Sequence, residues 1–189
     1  GDAGGAGVTR RGVGRRVVTL AEMVVRDIAR RRSVVALLFL VPLAFYFAQH
    51  AKLGQSIRLA SLGLAWAVAT LSLFAGLAAR RLDARLALSG YRAGELWAGR
   101  VLGLLALGEA MAAVYLVVIV VDRPPAGPAG LALELALTVL VAVGLGLCLG
   151  GAVPGELEGT LVIIAVVGVQ MIQDPLQPAS KALPFWSAR

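Results

Sequence analysis

Five long apolar stretches separated by short polar segments organise this chain, at Ser33 to Ala51, Ile57 to Ala79, Val101 to Val121, Gly130 to Ala152 and Gly159 to Gln173. Crossing about 30 Å of hydrocarbon takes roughly 20 predominantly apolar residues, and inside a bilayer the backbone must satisfy itself, so continuous runs of this kind predict helices. A membrane barrel would instead show alternating segments of about ten residues. The predicted fold class is all-α: a polytopic transmembrane helical bundle of five spans, residues 33–189 forming the transmembrane domain. Ahead of the spans the pattern changes. Residues 1–14 read as a flexible tail, and from Arg15 to Arg32 the apolar positions Val17, Ala21, Val24 and Ile28 fall on one helical stripe. Glu22 with Arg26, and Asp27 with Arg31, are spaced to pair on the polar side. A basic amphipathic helix beside a span predicts an element lying in the inner membrane interface, against anionic headgroups. A cytosolic extension of the first span is the other reading.

Composition agrees with the pattern. Apolar residues make up 59% of the 189, against about 45–50% in soluble domains. Charged residues are 15% and sit in islands, which excludes a disordered chain and argues against a soluble core. The net charge of +7 comes from 18 basic and 11 acidic side chains. Eight of the basic ones precede the first span (Arg10, Arg11, Arg15, Arg16, Arg26, Arg30, Arg31, Arg32), and five lie between the second and third (Arg80, Arg81, Arg85, Arg92, Arg100). The remaining segments hold Lys52, Arg58, Arg123, Lys181 and Arg189. This asymmetry predicts a cytoplasmic N-terminus, and it favours membrane topology over nucleic acid as the use of the charge.

Chemistry within the chain is sparse. A lone cysteine, Cys148, cannot form an internal disulfide, and with the single histidine, His50, it offers no metal-ligand spacing. No nucleophile-base arrangement is visible, and neither Lys52 nor Lys181 follows a glycine as a phosphate-cradling loop requires, so no catalytic site is expected in this chain. Glu109 falls well inside the third span and Glu134 near the outer end of the fourth. Each reads as a substrate-lining acid, as a proton carrier or as an interior helix contact, and Gln170 and Gln173 invite the same question, with an interhelical hydrogen bond as their structural reading. Ala142, Gly146 and Gly150, and likewise Gly99 and Gly103, recur at four-residue spacing and predict close helix packing, within one chain or between two. Pro42 predicts a bend in the first span.

The most patterned polar segment is Arg80 to Arg100. It predicts a short helix presenting Leu82, Leu86 and Leu88 beside Asp83 and Arg85, a break at Ser89-Gly90, and a second helix running through Glu95 and Trp97 into the third span. A short cytosolic helix of this kind can dock in a groove on a partner. A solvated hairpin held at the headgroups by Tyr91 and Trp97 stands beside that reading.

The run from Ser89 to Arg100 resembles the segment before the third span in type-2 ATP-binding-cassette permeases, the membrane subunits of bacterial exporters of drugs, polysaccharides and lipids. Those proteins carry a small residue and a Pro, then an acidic residue, then Gly-Lys; here Gly90 stands for the Pro and Arg100 for the Lys. The order of parts is also similar, with a short cytosolic turn at Val153 to Glu158. Asp174-Pro175 and Leu183 to Trp186 resemble the external re-entrant segment, here 174–189, and the family's sixth span has no counterpart before Arg189. The resemblance implies a multi-pass protein of the bacterial inner membrane, paired with a second permease copy or a homologue. A separate cassette ATPase would carry ATP and Mg, with no cofactor in this chain. Coupling to that ATPase would fall to Leu82, Asp83, Arg85, Leu86, Leu88, Ser89, Tyr91 and Arg92, and an amphiphilic, lipid-like or drug substrate would pass Glu109, Gln170 and Gln173. The competing function is a non-transporting scaffold or assembly protein that anchors a cytosolic partner.

Overall fold

A computed structural model describes residues 3–48, 53–88, 90–122, 124–125 and 127–172. Ser89, Gln173 and the expected re-entrant segment 174–189 lie outside the described residues. Every element within them is helical: α1 (Ala3–Arg30), α2 (Arg32–Ala48), α3 (Leu53–Leu88), α4 (Ala93–Asp122), α5 (Pro128–Ala152) and α6 (Glu156–Ile172).

Local chemistry sets the ends. Pro128 opens α5 at its first turn, where a missing N–H costs nothing. At its other end Val153, which precedes Pro154, is extended (φ −86°, ψ 150°) as a pre-proline residue should be, and its N–H donates to the Leu149 carbonyl at 2.8 Å. Glu156 and Glu158 then place negative charge on the first turn of α6. Between α1 and α2 the run Arg30-Arg31-Arg32 accompanies a bend of 73°.

Three helices are long and apolar enough to cross a bilayer: Gly54–Arg80, Ala93–Asp122 and Pro128–Ala152. They make this a membrane protein of the all-helical class. The other two apolar stretches are also helices, α2 and α6, at 17 residues each. Taken together across its bend, the α1–α2 pair also reaches the length and hydropathy of a span.

The centre of the bundle is α3, whose span is 67% buried against 33% for α4 and 39% for α5. Its neighbours alternate in direction. Pro42 of α2 meets Gly63, Val68 approaches Gly108 of α4, and Leu73 meets Gly159 of α6. Arg58 meets Gln170 near the other end of α6, so that helix runs antiparallel to α3. With α5 the register rises on both sides, Ser61 to Glu134, Ser72 to Gly146 and Gly76 to Gly150, so α3 and α5 run parallel over most of their length. A Cβ on Gly146 would stand 2.6 Å from the Ser72 Cβ, and one on Gly150 would stand 3.0 Å from the Gly76 Cα. The α5 small-residue stripe is therefore consumed within this chain, which answers the question its spacing left open.

Gly99 and Gly103 face α1, where added Cβ atoms would lie 2.6 Å from the Leu20 Cβ and 3.1 Å from the Val24 Cβ. The α1 stripe thus packs on α4, with Leu20 and Ile28 buried. Pro42 lies inside a continuous α2, and its ring fills the space that Gly63 leaves: a Cβ there would approach the Pro42 Cβ to 2.7 Å.

Candidate functional site

The arginine-rich end of the bundle is its most elaborately bonded part. Rather than forming a separate short helix, residues 80–88 continue α3 without interruption to Leu88. No proline or glycine intervenes between Ala79 and Leu88 to end the helix earlier. The break comes where the sequence places it. Gly90 sits at φ +86°, a left-handed conformation that glycine adopts freely. It is also one that proline cannot reach, so this turn differs in geometry from the Pro-bearing turn that the family resemblance would require.

Beyond the turn, Arg92 and Glu95 start α4. The Arg92 carbonyl accepts from the Glu95 and Leu96 N–H groups at 2.9 and 3.1 Å, while the Glu95 carboxylate reaches back to the Arg92 N–H at 3.0 Å, the returning half of a capping box. Glu95 is only 5% exposed. It is also 3.8 Å from the Arg16 guanidinium of α1, which donates to the Gly90 carbonyl at 3.4 Å and lies 5.7 Å from the Tyr91 ring centroid. Asp83, near the tip of α3, accepts from Arg100 of α4 at 2.7 Å, with Arg100 only 14% exposed. Arg80 donates to the Gly151 carbonyl at the end of α5. Four helices and a turn are thereby tied together.

The expected coupling residues divide within this arrangement. Leu82 is 53% and Leu88 90% exposed, a large apolar surface at a helix tip. Arg85 and Arg92 are exposed, Leu86 and Tyr91 are half-buried, and Asp83 is held by Arg100. Two contributors were not visible as such in the sequence: Arg16 and Glu95. Arg16 looked like one arginine of eight; only the packing of Val17 and Leu20 on Gly99 singles it out.

Beside this tip lies a cavity of about 630 Å³ between α1, α3 and α4. Met23, Ile28, Leu71 and Phe74 give it apolar walls, and charge of both signs lines it, from Arg31, Arg85 and Arg100, from Asp27, and from Glu156 of α6. That volume is within the range of about 300–1,000 Å³ common for small-molecule pockets.

The polar residues within the apolar helices do not converge. Glu134 accepts from the Ser61 hydroxyl at 3.0 Å, an α3–α5 contact. Gln170 is fully buried; its carbonyl accepts from Arg58 at 2.7 Å, and its side-chain amide has no hydrogen-bond partner among the described residues. Glu109 differs from both, because its side chain points outward from α4 and is exposed. In hydrocarbon an exposed charge at this depth would cost about 2.5–3.5 kcal/mol. No group of three or more His, Cys, Asp or Glu side chains suited to a metal occurs among the described residues.

Comparison with known proteins gave no match: no family model, no curated protein and no solved structure is similar to this chain.

Proposed function

We propose that this protein is the permease subunit of an ATP-driven exporter, moving an amphiphilic, lipid-like or drug substrate across the bacterial inner membrane with a separate cassette ATPase as its motor. The observation that carries this reading is the tip of α3. It leaves the apolar zone, ends in exposed Leu82 and Leu88, and is braced to α4 by Arg100 on Asp83, while Arg16 of α1 holds the turn that follows it at the Gly90 carbonyl. Exposed leucines on a braced helix end suit docking to a partner that transmits force. The cavity beside it, apolar with a charged margin, suits an amphiphile.

The alternating directions of α2 to α6 along α3 support five crossings, with α2 and α6 of about 25 Å completing the bundle beside the three longer spans. The arginine-rich end is then cytoplasmic. The 73° bend between α1 and α2 supports an interfacial α1 with its exposed basic residues towards the headgroups. ATP and Mg belong to the motor subunit, and Glu109, Gln170 and Gln173 remain the polar groups to test along the substrate route.

Purification from native membranes in mild detergent tests the reading. A nucleotide-hydrolysing subunit should copurify, and Leu82→Asp with Leu88→Asp should release it by burying a charge in the joint. A complex without any such subunit, or one that the double variant retains, points to the scaffold function instead.

A further inference from the structure

The cavity between α1, α3 and α4 joins an apolar floor to charges drawn from the polar segments around it. On α3, Leu71, Phe74, Ala75 and Ala78 fall on one stripe within the apolar run, and Arg85 continues that stripe beyond it, about 21 Å from Leu71 at 1.5 Å per residue. Phe74 and Ala78, with Met23 on the α1 wall, are exposed, so the floor is open rather than filled by the chain's own side chains. The charges are Asp27 near the end of α1, Arg31 just beyond it, Arg85, and Glu156 on the first turn of α6. Arg100 also lines the cavity but is held by Asp83 at 2.7 Å. Arg31 and Arg85 are thus balanced by Asp27 and Glu156, which leaves the lining without net charge. Asp27 and Arg31 stand 3.9 Å apart with both side chains mostly exposed, a pairing that contributes little. The Glu156 carboxylate has no partner among the described residues.

We infer that this groove holds a zwitterionic phospholipid of the cytoplasmic leaflet whose headgroup carries a primary amine. An acyl chain lies along the α3 stripe, the guanidinium groups of Arg31 and Arg85 draw the phosphate, and Glu156 draws the ammonium. Guanidinium matches phosphate geometry through paired hydrogen bonds. A primary ammonium brings three donors to a carboxylate, whereas a quaternary headgroup brings none. An anionic headgroup would set a further negative charge beside Asp27 and Glu156, and like charges in contact disfavour binding. This lipid is the class of amphiphile for the cavity; its assignment rests on the membrane placement proposed above and not on the ATPase.

Lipid retention tests it. The purified chain is reconstituted in vesicles of equimolar phosphatidylethanolamine, phosphatidylcholine and phosphatidylglycerol, extracted in mild detergent, and its bound phospholipid identified by native mass spectrometry. The parent should retain phosphatidylethanolamine about tenfold over each of the others. Glu156→Gln should bring phosphatidylethanolamine down to the phosphatidylcholine level, and Arg31→Gln with Arg85→Gln should lower all three about tenfold. Ala78→Trp, at an exposed position that tolerates a large side chain, should empty the groove. Equal retention of the three lipids, a preference for either of the other two, or phosphatidylethanolamine retention unmoved by Glu156→Gln or Ala78→Trp overturns the inference. No nucleotide or second subunit enters the measurement, so a missing ATPase leaves the lipid result standing, and loss of the lipid preference leaves copurification standing.

Discussion

Single glycines decide which helices can touch. At Gly146 and Gly150 the α5 backbone lies against α3, and a β-branched side chain has nowhere to go. Gly146→Val should destabilise the bundle by about 1–3 kcal/mol in thermal unfolding in detergent. Gly144→Val, two residues away with nothing within 4 Å of an added Cβ, should leave the midpoint nearly unchanged. Glu95 makes a second residue-scale case. Glu95→Ala strips the Arg92 N–H of its acceptor and the Arg16 guanidinium of its ion-pair partner and should cost about 1.5–3 kcal/mol, read as a lowered midpoint, with Glu95→Gln intermediate. The sequence made the small-residue spacing plain but could not say what lay across from it, because periodicity identifies a face and never its partner. The same limit hid Arg16, and it left Glu109 as an acid that had to meet protein or water without showing that it points away from its own bundle.

At the scale of elements, the break after Leu88 was legible from Ser89-Gly90, and so was a second helix running through Glu95 and Trp97. The continuity of α3 was not. A run of arginines, aspartate and leucines after Ala79 leaves the apolar pattern, which signals exit from hydrocarbon; a helix leaving the bilayer still keeps its backbone bonds when no breaker intervenes. At Gly90 the left-handed backbone should make Gly90→Ala cost about 1–2 kcal/mol, and Gly90→Pro, whose ring fixes a negative φ, should disrupt the turn outright. Proteolysis between α3 and α4 reads both outcomes. If Gly90→Pro were as resistant as the parent, the turn would have to take a different geometry from the one described.

For the whole molecule, hydropathy gave the membrane class and the apolar middles of the long helices, since burying the backbone in hydrocarbon leaves few alternatives, but not their ends: α3 runs on past Ala79 to Leu88 and α4 begins at Ala93, ahead of Val101. How the helices are arranged around α3 depended on contacts among residues far apart in sequence, such as Ser61 with Glu134 and Tyr46 with Asp122 at 2.8 Å. Orientation can be read directly. In a Cys148→Ala background, an impermeant thiol reagent added outside intact cells should label Pro124→Cys and spare Leu88→Cys, and the opposite pattern should hold for inverted vesicles. Labelling of both from one side would place an even number of crossings between them and refute the proposed topology.

The uninterrupted course of α3 has a mechanical consequence. A rod of 36 residues, about 54 Å long, cannot telescope, so a push at Leu88 reappears as a tilt of the whole shaft. The place where glycine meets glycine, Gly76 against Gly150, is a natural fulcrum, with about 18 Å of helix on the leucine side and about 35 Å on the other. A small sideways stroke at the short arm is therefore returned at the far membrane face roughly doubled, without any hinge inside the shaft.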